Sequence, residues 1–237
     1  MEYPCDWIKG YFHRFSSFGV EISDREWWSK NQQSLEELYP QALLCFTDGS
    51  RTNGYAGRAY VIPLLSEEGT FALGEHTTVC QCELYAILLL AYRLTELDLG
   101  DISEIRIFTD SLSSLQSLQA LCIESVIAEE CWRALEKLAC QLQLFVSWIP
   151  AHAGYEGNET AERLAKCASE LRIPCVEPVI PISVKLAACS IKAWAKSRHA
   201  RKWETVSNCR QVKKFFPTLE DYEEGYGSHA RILADLR

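Results

Sequence analysis

Two stretches decide how this chain folds: Ala42-Leu43-Leu44-Cys45-Phe46-Thr47-Asp48-Gly49-Ser50 and Glu104-Ile105-Arg106-Ile107-Phe108-Thr109-Asp110-Ser111. Each is a short run rich in strand-forming residues that ends on Thr-Asp, the pattern of a strand stopping at an acid. Between them, Tyr55–Leu65 and Thr70–His76 flank Ser66-Glu67-Glu68-Gly69 and read as a hairpin. Gln81–Leu94 carries Leu84, Ile87, Leu88, Ala91 and Leu94 at helical spacing. Downstream the pattern gives helices over Leu112–Leu121 and Ser125–Cys140, then a strand over Leu142–Ile149. A loop holding His152, Gly154 and Gly157 follows Pro150. Asn158 then caps a helix with Ala161, Leu164, Ala165, Ala168 and Leu171 on one face. The order βββαβααβα predicts an α/β fold with a mixed five-stranded sheet, three antiparallel strands followed by parallel ones, flanked by helices.

Around this core the chain reads as three parts. Residues 1–41 form an aromatic-rich lead-in, irregular apart from a short helix near Ser34–Leu38 that Pro40 ends. Residues 42–172 form the α/β domain. In 173–237, Pro174, Pro178 and Pro181 mark a linker, and Ser183–Val206 reads as an amphipathic helix in a basic tail.

Composition narrows the class. With 237 residues and 48% hydrophobic side chains, the chain can bury a sizeable core. Its 12 Gly and 8 Pro, with no low-complexity tract, exclude fibrous or wholly disordered architectures. The longest apolar run, Tyr85–Tyr92, is too short to cross a bilayer, and residues 1–30 contain no apolar signal core. The expectation is a soluble intracellular protein, cytoplasmic or nuclear, with no membrane partner. There are 11 cysteines but no C-x-x-C, and the closest pair is Cys80 and Cys82. Cys45, Cys122, Cys131, Cys140 and Cys167 stand among apolar residues, so reduced structural thiols are expected.

The net charge of −8 hides an asymmetry: 9 basic and 18 acidic residues over 42–172, against 11 and 7 over 173–237. Lys185–Lys214 alone holds nine Lys/Arg and one acid, Glu204. A carboxylate-rich domain that gathers cations, beside a tail suited to phosphates, fits this balance.

Asp48 and Asp110 stand at the carboxyl ends of their strands, where α/β sheets bind ligands. Taken singly, each reads first as ordinary turn chemistry. Glu83 changes that balance. It lies four residues before Ile87 and seven before Leu90, along the apolar face of its helix. A carboxylate there must be paired or hold a metal. The alternative, an acid favoured by the positive end of a helix, applies more strongly to Glu159 and Glu162.

Phe46-Thr47-Asp48-Gly49-Ser50, Cys82-Glu83-Leu84-Tyr85-Ala86, Phe108-Thr109-Asp110-Ser111, Trp148-Ile149-Pro150-Ala151-His152 and Gly157-Asn158-Glu159-Thr160-Ala161-Glu162-Arg163-Leu164-Ala165 together resemble the successive motifs of type-1 ribonuclease H. The variant is similar to the domain in non-long-terminal-repeat retrotransposon polyproteins, and the resemblance covers roughly Ala42–Leu171. It implies a ribonuclease H-like fold and metal-dependent cleavage of the RNA strand of RNA–DNA hybrids. Two Mg²⁺ ions about 4 Å apart, with Mn²⁺ as a substitute, would activate water and stabilise the leaving oxygen. By resemblance Asp48 bridges both ions, Glu83 and Asp110 complete one site and Glu162 the other. His152 would move protons or help product leave. Ser50, Asn158, Lys192 and Lys196 are the candidate nucleic-acid contacts, and residues 1–41 would connect to an upstream reverse transcriptase domain that this chain lacks.

Departures from the family pattern are Glu162 in place of the usual Asp, Leu112 in place of a polar residue, and Cys82 where Ala is common. No basic helical protrusion occurs within 42–172. Two other readings are an inactive retroelement remnant that binds nucleic acid, and an integrase- or transposase-type nuclease using Asp48, Asp110 and Glu162. Glu83 and the His152 loop, which that second class does not require, argue against it. A serine hydrolase is disfavoured because no G-x-S-x-G elbow exists.

Overall fold

The structure is a computed structural model, and it describes residues 5–12, 15–30, 33–171, 180–207, 210–215 and 218. Pro174 and Pro178 of the expected linker lie outside the described residues. In chain order, β1 (Cys5–Asp6), β2 (Tyr11–Phe12), β3 (Gly19–Glu21), α1 (Arg25–Lys30) and α2 (Leu35–Leu38) come first. They precede β4 (Ala42–Thr52), β5 (Tyr55–Ile62), β6 (Glu67–Gly74), α3 (Val79–Glu96), β7 (Glu104–Thr109) and α4 (Leu112–Gln119). Then follow β8 (Cys122–Ile123), α5 (Val126–Ala139), β9 (Gln143–Trp148), α6 (Glu156–Glu170), β10 (Ile182–Ser183), α7 (Val184–Thr205) and α8 (Arg210–Phe215).

The main sheet has the order β3-β9-β7-β4-β5-β6. The β4–β5 and β5–β6 pairs are antiparallel, whereas β4–β7, β7–β9 and β3–β9 are parallel. All five expected strands are present, and β3 from the lead-in adds a sixth at one edge. Helix α3 covers one face of β4 and β5, and α6 covers the other. Close approach on both faces depends on glycine. A Cβ on Gly49 would lie 2.6 Å from the backbone of Cys82 in α3, and one on Gly57 would lie 2.8 Å from Ala168 Cβ in α6.

Both turns of the antiparallel half differ from expectation. Asp48-Gly49-Ser50 is uninterrupted strand, and the chain reverses at Asn53-Gly54, with φ 52° and 91°. That two-residue turn has the twist that matches a hairpin. At the next corner Pro63–Leu65 forms a 3₁₀ turn, closed by the Ser66 N–H donating to the Pro63 carbonyl at 3.0 Å. Proline's fixed φ starts this turn early, so Glu67-Glu68-Gly69 belongs to β6 instead of the loop.

The lead-in is not an irregular appendage. Its aromatics complete the core: Phe18 is buried 6.2 Å from the Trp132 ring, and buried Trp28 meets Tyr155 edge-on at 5.6 Å. Strand β3 is pinned by Glu21, which accepts from Arg106 Nη1 at 2.7 Å and Ser147 Oγ at 3.0 Å. Arg106 also pairs with Glu104 at 2.6 Å and lies between the rings of Tyr39 and Phe145, 3.9 and 4.2 Å from their centroids. Such a nearly buried guanidinium is tolerable because both charge and faces are satisfied. Asp6 performs a similar tying role. It accepts from Ser125 Oγ (2.8 Å), the Ile127 N–H (3.2 Å) and Gln81 Nε2 (3.0 Å), joining the starts of α5 and α3.

The chain divides into two compact units, residues 1–184 and 185–237. The second contains nearly all of α7, whose bounds match the expected helix but whose amphipathic character does not. Basic and apolar residues alternate around it, and none of its residues is buried. The nine described cysteines are free; Cys45 and Cys131 are buried as small hydrophobes, but Cys140 and Cys167 are exposed, contrary to expectation. Among the described residues no helix is long and apolar enough to cross a membrane.

Candidate active site

Three different elements deliver three carboxylates to one point. Asp48 lies on β4 just past Phe46, the last residue that β4 pairs with β7. Asp110 follows the end of β7, where Trp148 Nε1 donates to its backbone carbonyl at 3.0 Å and Ser111 caps α4. Glu83 stands in the second turn of α3, whose start is fixed by a reciprocal capping box between Thr78 and Gln81. Ligand oxygens of Asp48, Glu83 and Asp110 lie within 4.8 Å of one another.

The cluster is electrostatically uncomfortable. Asp48 and Glu83 are only 5% and 4% exposed, and Glu83 Oε2 is buried with no hydrogen-bond partner. Burial, then the charges of Asp110 and Glu162, pushes the Asp48 carboxyl up to about 7. Burial and the neighbouring Asp48 and Asp110 raise Glu83 well above the carboxylate range, opposed only by a hydrogen bond from the Gly49 backbone. Asp110 is raised by burial and Glu162, and is held down by a hydrogen bond from the Asn158 side chain. Adjacent like charges taken from water are tolerated only if protons or a cation neutralise them. An unpartnered buried carboxylate oxygen within an all-oxygen donor set fits a hard divalent cation such as Mg²⁺ or Mn²⁺.

A stability prediction follows from the direction of these shifts. Asp48 ionises at 3.8 when unfolded and about 7 when folded, so the folded state retains a proton that the unfolded state loses. Stability of the metal-free protein should therefore fall as pH rises from about 4 to 7. Saturating Mg²⁺ should raise the melting temperature more at about pH 7.5 than at about pH 5, because it binds the ionised cluster. Thermal unfolding at the two pH values, with EDTA and with Mg²⁺, checks this; equal Mg²⁺ effects would remove the cation from the cluster.

The other predicted site residues are placed differently. Glu162 on α6 stands outside the three-carboxylate cluster, close enough to raise Asp48 and Asp110, and its Oε2 lies 3.1 Å from His152 Nδ1. His152 is exposed on its loop in the left-handed backbone region, φ 54°. Asn158 is not a helix cap. Helix α6 begins at Glu156 after Tyr155, which makes no side-chain cap, and Asn158 is 2% exposed, donating to Asp110. Ser50 continues β4 opposite Gly57, half-buried. Lys192 and Lys196 lie one turn apart on α7, in the second unit. Trp148 and Gly49 fall within the family motifs, but their support of Asp110 and Glu83 has no local signal, because both act through contacts distant along the chain.

Comparison with known proteins agrees with this arrangement. No curated protein matches the chain. The RNase H family model matches residues 40–170, from just before β4 to the last residue of α6. Since that match takes in more than half of the chain and every element that carries Asp48, Glu83, Asp110, His152 and Glu162, the chain belongs to the RNase H family.

Proposed function

We propose that the protein is a type-1 ribonuclease H that hydrolyses the RNA strand of RNA–DNA hybrids with two divalent cations, and that it derives from a retroelement. The observation that carries the catalytic reading is the Asp48–Glu83–Asp110 cluster, with its unpartnered Glu83 oxygen, inside an RNase H domain. Asp48, Glu83 and Asp110 would hold one Mg²⁺ or Mn²⁺, and Asp48 with Glu162 a second. When bound, such ions lower the pKa of a water and stabilise charge on the leaving oxygen. Asn158 and Trp148 act as positioning residues, holding the Asp110 side chain and backbone respectively. His152, on an exposed loop beside Glu162, would move protons or help product leave. Ser50 faces substrate at the margin, and the basic tail, including Lys192 and Lys196, holds backbone phosphates. The retroelement origin rests on the sequence resemblance alone.

The direct test is cleavage of a labelled RNA–DNA hybrid by the purified full chain with Mg²⁺, Mn²⁺ or EDTA. We expect slow, metal-dependent cleavage of the RNA strand only. Binding without cleavage in either metal would make the protein an inactive remnant.

Three further variants refine this reading. Glu162→Asp should keep or improve cleavage, because it restores the family's usual residue and releases the contact with His152. Glu162→Gln should lose most cleavage by removing the charge of the second site. Single-turnover rates across a Mg²⁺ titration decide the matter, and equal rates for all three proteins would take Glu162 out of the site. Deleting residues 185–237, the second compact unit, should weaken hybrid binding more than it slows the bound complex. Binding of the parent should also fall more steeply with salt than binding of the truncated chain, since each lost phosphate contact reduces that slope. Unchanged affinity and slope would leave the tail without a role in substrate binding.

A further inference from the structure

Helix α7 runs 22 residues with none buried. Three observations on it point beyond a simple phosphate clamp. First, Trp194 is 59% exposed and Ile191 65%, so the indole face is open to a ligand. Second, the Arg198 guanidinium lies over the Trp194 ring, 5.2 Å from its centroid. Third, charge is not confined to one side. Lys185, Lys192, Lys196 and His199 recur at intervals of seven, four and three, along one stripe. Trp194, Arg198 and Arg201 recur at intervals of four and three along the opposite one.

A helix that docks in a protein groove presents an apolar stripe at i, i+3, i+4 and i+7. Helix α7 carries only a short one, Val184, Ala187, Ala188 and Ile191, in which Ile191 is the one long side chain, and the same face turns basic at Arg198 and Lys202. An exposed aromatic ring set among cations is instead the arrangement that receives a nucleobase while its neighbours meet the flanking phosphates. We propose that the Trp194–Arg198–Arg201 face of α7 is a single-strand binding surface. One base of an RNA strand stacks on Trp194 and the adjoining phosphates lie against Arg198 and Arg201. The proposal rests on the ribonuclease reading only for its biological setting, the single-stranded flanks of a hybrid; the surface itself needs neither metal nor cleavage.

The test is fluorescence anisotropy of the full chain with a labelled 12-nucleotide oligouridine in EDTA, where no hydrolysis occurs. The control ligand is an abasic ribose-phosphate oligomer of the same length. Trp194→Ala should weaken oligouridine binding roughly tenfold, within the range typical of one stacked base, and leave the salt slope unchanged. The same variant should bind the abasic oligomer as the parent does. Trp194→Phe should recover most of the loss. Arg201→Gln should weaken both ligands and lower the salt slope by about 0.7, the value for one single-strand phosphate contact. Circular dichroism establishes that each variant keeps its helix content; should Trp194→Ala lose helix, Trp194→Leu removes the aromatic face in its place. Equal losses for oligouridine and the abasic oligomer in Trp194→Ala would overturn the stacking surface. So would unchanged oligouridine affinity, which would leave the exposed indole as a protein-docking residue. Because the assay is metal-free, a failure here is distinct from a failure of hybrid cleavage, and either can occur without the other.

Discussion

Asp48→Asn is expected to abolish hybrid cleavage and at the same time to stabilise the metal-free protein. The two effects have one cause. Asp48 is nearly buried, faces Glu83 and Asp110 within 4.8 Å, and has its carboxyl pushed up to about 7 by burial and by the charges around it. An amide has the same shape and no charge, so it relieves repulsion that the fold otherwise carries at neutral pH. For an isolated group the shift is equivalent to about 4 kcal/mol; proton sharing with Glu83 and Asp110 reduces the expected gain to about 1–3 kcal/mol. In a protein of this size that amounts to roughly 2–10 °C in melting temperature. The same change removes the carboxylate assigned to both ions, and we expect at least a hundredfold loss of cleavage, in line with the effect of misplacing or removing a central catalytic group. Asp110→Asn should lose activity comparably while gaining less stability, because Asp110 is more exposed and already receives a hydrogen bond from Asn158. Melting curves in EDTA and single-turnover cleavage in Mg²⁺ on the same preparations test both halves. An Asp48→Asn protein that cleaves within tenfold of the parent would overturn the metal-site assignment, and one that melts lower in EDTA would contradict the electrostatic account.

The second large effect is expected at a residue with no side chain. Gly49→Ala places a Cβ against the backbone of Cys82 and Glu83, 2.6 Å from the Cys82 carbonyl carbon and 2.7 Å from its Cβ. Hydrogen-bonded helix backbone cannot rotate aside, so α3 must lift from β4. Overpacking of this kind costs about 1–3 kcal/mol, and more where backbone must move. The lift also separates the Gly49 N–H from the Glu83 carboxylate that it supports. A shift of about 1 Å in a metal ligand can cost a hundredfold in rate. Gly49→Ala should therefore melt several degrees lower and, at a temperature where it is fully folded, require more Mg²⁺ to reach half-maximal cleavage. A folded Gly49→Ala protein with the parental Mg²⁺ requirement would separate the α3–β4 contact from the site.

Much of this protein is legible along the chain because it is written in local pattern. The strands that became β4, β7 and β9 are apolar runs bounded by breakers, and α3, α5 and α7 begin and end within about two residues of the expected positions. Glu83 on an apolar helix face is a local anomaly whose desolvation demands a neutralising proton or cation, and the structure sets it beside Asp48 and Asp110, which sharpen that demand. Where two local meanings competed, only the tertiary structure chose. Asp48-Gly49-Ser50 has turn chemistry, yet it stays in strand because the turn falls at Asn53-Gly54 and α3 needs a residue without Cβ beside it. Asn158 has capping chemistry, yet the cap position falls three residues earlier, at Tyr155, and the Asn158 amide instead donates to Asp110. The lead-in carried no period at all. Its strand β3 exists because the edge of β9 was open and because Arg106, a charge inside the sheet domain, required Glu21 and an aromatic sandwich. Local sequence specified the elements and the acid types, through propensity, capping and the cost of burying charge. Which oxygens meet, and which residue supports each of them, was decided by contacts between segments tens of residues apart, for which no local pattern exists.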